Sequence, residues 1–171
     1  MRHFILLISL LLAKHSFAQV IPIKIKPYSG NVVLLNAEDT FNVEKVAPNE
    51  LTQLITQNKK CLVYIYKPYC SGLKKNFSKS GRFLSAAIDK GYYVIFLATT
   101  TEGLEGIPEL IARTGHLEQL NYYVINVQIS RAAFEKALAP KKIKTVLIYQ
   151  NNILMHMLDS WKLDELAIKK L

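Results

Sequence analysis

Cys70 is the residue of this chain best placed to do covalent chemistry. It lies within CLVYIYKPYCSGLKKNF, residues 61–77. Residues 62–66 form an apolar, β-branched and aromatic run of the kind a buried strand requires. Lys67-Pro68-Tyr69 interrupts the run, and apolar residues then recur at helical spacing at Leu73, Phe77, Leu84, Ala87 and Ile88. Cys70 therefore falls at a strand-to-helix junction. A thiol at a helix N-terminus meets the positive end of the helix dipole, and Lys67, Lys74 and Lys75 are near in sequence. Each influence favours thiolate, the nucleophilic form. Ser71 and Gly72 open the helix and offer backbone N–H groups to an incoming sulfur.

The chain has one other cysteine, Cys61, at the start of the same apolar run. Nine residues of strand span roughly 30 Å, whereas a disulfide needs Cα atoms within about 7 Å. An intramolecular bond is not expected on that reading, and Cys61 is expected to be a small buried hydrophobe. No metal site is expected, because His116 and His156 stand apart from any Cys, His or carboxylate at ligand spacing. Met155 and Met157 alternate with His156 as strand residues do. No glycine-rich phosphate loop and no Ser-His-Asp arrangement is present, and no cofactor is called for. Asn76-Phe77-Ser78 matches the N-glycosylation pattern but lies on the expected helix. Asp159, Trp161 and Asp164 read as cap and helix-surface residues.

The 171 residues are half hydrophobic and a fifth charged, enough for one domain of ordinary size. The first eighteen, MRHFILLISLLLAKHSFA, combine a basic start, an apolar run and small residues at Ser16 and Ala18. That is the pattern of a cleaved secretory signal. Lys14 and His15 end the run before the length of about twenty residues that a bilayer span needs, so no stable membrane anchor is expected after cleavage. The expected location is the periplasm or the extracellular space. Arg2 and Lys14 supply two of the formal +9, leaving +7 beyond Ala18. The remaining lysines are scattered rather than clustered with aromatics, which argues against nucleic acid as a partner.

Residues 19–48 read as an N-terminal extended segment, irregular up to Val46 with a short strand at 31–35, and residues 49–171 as the folded domain. A helix opens at Pro48, followed by the strand at 62–66, a helix over 71–89 with a kink at Ser80-Gly81 and a stop at Gly91, and a strand at 92–98. Then come a helix over 107–120, a strand at 122–127, and a short helix from 130 to 138 with Ser130 as N-cap. A hairpin turns at Asn151-Asn152, and Ser160 caps a final helix through Leu171. The order predicts an α/β domain with a mixed central sheet covered by helices on both faces.

That order and two segments resemble the thioredoxin fold. Tyr69-Cys70-Ser71-Gly72-Leu73-Lys74 resembles the family's Trp-Cys-Gly-Pro-Cys-Lys at the same junction, and residues 143–152 are similar to its Ile-Pro-Thr strand and hairpin. The inserted strand and helix have the length seen in exported thioredoxin-like proteins. Under this resemblance Leu73 stands where the family has its resolving cysteine, Tyr64 where it has a buried acid, and Lys144 where it has a cis-proline facing the thiols. Dithiol cycling needs a second thiol to release the mixed disulfide, and leucine cannot supply it. The resemblance implies Cys70 as nucleophile, Lys144 and Lys67 as its electrostatic tuners, and Ser71, Gly72, Leu73 and Thr145 as the surface that meets a partner. Three functions fit: a monothiol protein forming mixed disulfides with a partner protein or a small thiol, a redox-inactive binding module, and a one-cysteine peroxidase. The peroxidase reading fits worst, because the threonine expected three residues before the cysteine is Lys67.

Overall fold

The computed structural model describes residues 23–27, 41–108, 120–125, 131–138 and 145–171. Its strands are β1 (Ile23–Pro27), β2 (Phe41–Val46), β3 (Lys60–Tyr66), β4 (Tyr93–Ala98), β5 (Asn121–Ile125), β6 (Val146–Gln150) and β7 (Ile153–Leu158). Its helices are α1 (Pro48–Gln57), α2 (Ser71–Asp89), α3 (Arg131–Leu138) and α4 (Glu165–Ile168). The strands form one seven-stranded sheet in the order β1-β2-β5-β4-β3-β6-β7. Pairing is parallel from β1 through β3 and antiparallel from β3 to β6 and from β6 to β7. The mixed sheet and flanking helices are those the sequence predicts.

Strand β3 shows why its residues read as a continuous apolar run. Leu62, Tyr64 and Tyr66 pack with Phe77, Phe83 and Leu84 of α2 on one face. Cys61 and Val63 pack with Leu51, Leu54 and Ile55 of α1 on the other. A strand covered on both faces has no polar side to display.

Helix ends follow their local chemistry. At the start of α1, Glu50 Oε2 accepts the Ala47 N–H at 2.6 Å, which satisfies one of the donors a helix N-terminus leaves open. At the end of α2, Gly91 adopts φ +77°, its N–H donates to Ile88 O, and the Tyr92 N–H donates to Ala87 O. This is the Schellman stop that glycine permits. In the hairpin, Asn151 and Asn152 both take positive φ, 49° and 67°, as a two-residue turn between twisted strands demands.

Several expectations differ from the structure. The segment read as irregular contains β1 and β2, both in the sheet; Asn42 and Glu44 are buried in β2, and such polar residues break the apolar pattern that marks a strand. Helix α2 runs from Ser71 to Asp89 without interruption. Ser80 is buried there as the partner of Tyr64 rather than as a kink. The final helix is short: Ser160 lies in a 3-10 turn (Ser160–Lys162), Leu163 is non-helical, and α4 begins after Asp164, whose Oδ1 accepts the Ala167 N–H at 3.0 Å. Strand starts also shift: the strand expected at 62–66 begins at Lys60, the one at 92–98 at Tyr93, and the one at 122–127 at Asn121. The signal at 1–18, the strand at 31–35, residues 109–119 of the expected helix, and Ser130 lie outside the described residues.

Burial pushes the Cys61 thiol from 9.0 up to about 12. The native state thus keeps its proton where the unfolded chain loses it, so stability is complete below pH 9 and falls as pH rises toward 12. Chemical-denaturation midpoints measured across that range should decline for wild type, and Cys61→Val should remove the part of the decline that sets in near pH 9 while leaving the part above pH 10 that the buried Tyr64 and Tyr66 hydroxyls contribute.

Candidate functional site

The site grows from the end of β3. Pro68 occupies the second position of a turn closed by the Cys70 N–H on the Lys67 carbonyl at 3.0 Å. Proline's fixed φ suits that position. The turn leaves Cys70 as N-cap of α2 with extended backbone, φ −73° and ψ 121°, and its carbonyl accepts the Leu73 N–H at 3.0 Å. The thiol is exposed. A Cβ added at Gly72 would lie 3.5 Å from Cys70 Sγ, so the sulfur stands over the first turn of the helix, as the junction predicts.

The loop after β4 backs this turn. Gly103 has φ +80°, and a Cβ there would stand 2.8 Å from the Tyr69 backbone nitrogen. Both the left-handed backbone and the close approach require glycine. Thr99 N–H donates to Tyr66 O at 2.9 Å, and Ile65 N–H donates to Thr145 O at 2.7 Å. The end of β3 is therefore held from both sides.

Beside Cys70 lies a cavity of about 300 Å³. Tyr64, Tyr66, Leu73 and Trp161 give it apolar walls, and Lys67, Asn76, Thr145 and Ser160 contribute polar groups. It lies at the carboxyl end of the parallel strands, where the sheet changes to antiparallel pairing at β6; ligand sites of α/β sheets favour such places. Thr145 Oγ1 accepts the Ser160 N–H at 2.6 Å, which draws the segment carrying Trp161 against the sheet.

Behind the cavity, the Tyr64 hydroxyl hydrogen-bonds Ser80 Oγ at 2.9 Å, and its ring stacks on Phe96 with centroids 5.1 Å apart. Burial pushes the Tyr64 hydroxyl above its usual range. Hydrogen bonding with Ser80 and Ser160 opposes the rise, and negative charge on Cys70 adds to it. A neutral hydroxyl thus occupies the interior position at which the resemblance expects an acid. Cys61 packs on the opposite face of the sheet, consistent with the small-hydrophobe reading.

Of the predicted site residues, Cys70, Lys67, Gly72, Leu73 and Thr145 line one cavity. Ser71 is exposed at the start of α2 and does not line it. Lys144 lies outside the described residues. Sequence reasoning did not assign Tyr66, Asn76, Thr99, Ser160 or Trp161 to this site. Trp161, the single tryptophan, had a usable signal, since a large aromatic read as a surface residue asks what it faces. Asn76, set aside as a glycosylation pattern, instead donates its amide to Gly72 O at 3.0 Å.

Parallel strands joined by helices on one side of β3, an antiparallel hairpin on its other side and a terminal helix, with the thiol where β3 gives way to α2, make this a thioredoxin-like fold. No protein-family model and no curated protein sequence matches the chain. Among solved structures it is similar to a thioredoxin candidate from Neisseria meningitidis, at 13% identity and TM-score 0.43 over 62% of this chain and 67% of that one. It is also similar to tryparedoxin II from C. fasciculata, at 13% identity and TM-score 0.44 over 80% of this chain and 82% of that one.

Gly103→Ala should cost about 1–3 kcal/mol through strain and displacement of the Tyr69 loop, read as a lower urea midpoint. Tyr64→Phe strands the Ser80 hydroxyl in the interior and should cost about 1–2 kcal/mol. Adding Ser80→Ala should cost less than the two single changes summed, which a double-mutant cycle measures directly.

Proposed function

We propose that this is an exported thioredoxin-like protein in which Cys70 works as a single thiol. It forms a mixed disulfide with a partner protein or a small thiol, and an external thiol resolves it. One observation carries the reading: Cys70 is exposed beside a cavity able to receive a ligand, while the chain's only other thiol is buried across the sheet. Burial holds that second thiol protonated up to about 12, so it is no resolving nucleophile in the folded protein.

In the exchange, the Cys70 thiolate attacks one sulfur of a disulfide. The new S–S bond forms as the old one breaks, the other sulfur leaves as thiolate, and the proton given up by Cys70 ends on the leaving thiol through solvent. One disulfide replaces another with no net oxidation. Lys67 lines the cavity and brings positive charge to an anionic sulfur, and the resemblance assigns Lys144 the same task. Ser71 and Gly72 lie at the helix start, where open N–H groups meet the incoming sulfur. Export rests on the pattern of residues 1–18; among the described residues no helix is long and apolar enough to cross a membrane.

A redox-inactive binding module is the second reading, favoured by the exposure of Trp161 (63%), which lines the cavity, and of Tyr69 (54%), next to Cys70 in the chain. Native protein treated with a neutral dipyridyl disulfide separates the two. Monothiol exchange requires release of one pyridinethione per chain, retained in Cys61→Ser and abolished in Cys70→Ser. Silence of the folded wild type, with release only after denaturation, would leave the binding module.

A further inference from the structure

A second cavity, of about 490 Å³, shares Trp161 with the first. Its lining has a different character: Lys79 and Arg82 from α2, Lys162 from the 3-10 turn, and Asp164, with Leu163 and Ile168 behind. Three cations there face one carboxylate, and that carboxylate already accepts the Ala167 N–H. Lys79, Arg82 and Lys162 are exposed, so their charge is available to a ligand rather than spent in the fold. Lys79 and Arg82 stand three apart and share a helix face.

The Cys70 cavity has an unmet demand of its own. Tyr66 lines it, is only 5% exposed, and its hydroxyl is buried with no hydrogen-bond partner. Buried polar groups are ordinarily paired, so a polar group entering with a ligand would complete this one. The two cavities thus present, side by side, a thiol between aromatic walls and a cationic basin, divided by an exposed tryptophan. Tryptophan is a residue type that often anchors partners at interfaces.

Helix rise fixes the scale. Lys79 and Arg82 follow Cys70 by nine and twelve residues, roughly 13–18 Å along the axis at ~1.5 Å per residue. That distance corresponds to about four or five residues of extended peptide at ~3.3 Å each, and it exceeds the reach of a small thiol held at Cys70. We propose that the disulfide partner of Cys70 is a polypeptide with acidic side chains about four or five residues from its reacting cysteine, seated across Trp161 in the cationic cavity. This deepens the monothiol reading and rests on it for the covalent step, in which Cys70 takes the peptide's sulfur and the peptide's former partner sulfur leaves as thiolate.

The test uses peptides of about ten residues, each with one cysteine activated as a pyridyl disulfide and with Glu, Gln or Lys at the fourth and fifth positions beyond it. At low ionic strength the Glu peptide should react with the full chain about tenfold or more faster than the Gln peptide, and the Lys peptide should be slowest. The Glu-to-Gln ratio should collapse toward one in ~0.5 M salt. In Lys79→Glu/Arg82→Glu/Lys162→Glu the ratio should invert, a comparison internal to the variant and so independent of any general loss.

Equal rates for Glu and Gln peptides in wild type would overturn the proposal. So would an equally large advantage for a short anionic disulfide such as oxidised glutathione over a neutral one, because it would place the recognised charge too near the sulfur. The Cys70→Ser variant gives a readout that does not depend on exchange: titrating the non-activated peptides and following the emission of Trp161, the single tryptophan, should show saturable binding of the Glu peptide at least about tenfold tighter than the Gln peptide. Binding without exchange would remove the monothiol reading and keep the acidic-partner surface; exchange without charge preference would do the reverse.

Discussion

Strand β3 is hydrogen-bonded on both edges and covered on both faces, and the position of Cys70 follows from that confinement. Its neighbours β4 and β6 run in opposite directions, so a chain leaving its carboxyl end emerges where the sheet changes sense. Pro68 turns the chain there, and Gly103 lets the neighbouring loop approach the turn closely. The thiol is consequently held by backbone geometry, with little dependence on its own side-chain contacts.

The same face of β3 decides the electrical character of the interior. Tyr64 and Tyr66 bring hydroxyls where burial penalises charge, and both resist ionisation for that reason. A buried carboxylate could accept and return protons during exchange; a buried phenol paired with Ser80 is a neutral anchor for α2. Charge lies instead outside that interior, where Lys79, Arg82 and Lys162 gather beside Trp161.

Much of this architecture was readable from residue order. The apolar run of β3, the Gly91 stop and the Asn151-Asn152 turn each carry local chemistry strong enough to announce themselves. Strand β2 did not, since Asn42 and Glu44 are buried within it and resemble loop residues until the neighbouring strand is known. The C-terminal segment has the spacing of a helix, yet Leu163 leaves the helical region at φ −86° and ψ 74°, and Asp164 caps a new, short start at α4. Ser80-Gly81 suggested a bend, and a tertiary partner gave Ser80 a different purpose.

Sequence alone determined that a thiol stands at a strand-to-helix junction without a second cysteine in step with it, because those facts depend on residue identity and local periodicity. Tertiary structure decided what surrounds the sulfur. Tyr66 comes from β3, Thr145 from the start of the hairpin, and Ser160 and Trp161 from the 3-10 turn after it, and only the sheet order and that short turn bring them together. The division of charge was equally invisible in the chain: lysines that look scattered along the sequence meet Arg82 in one cavity, since proximity in space is set by packing and leaves no periodic trace.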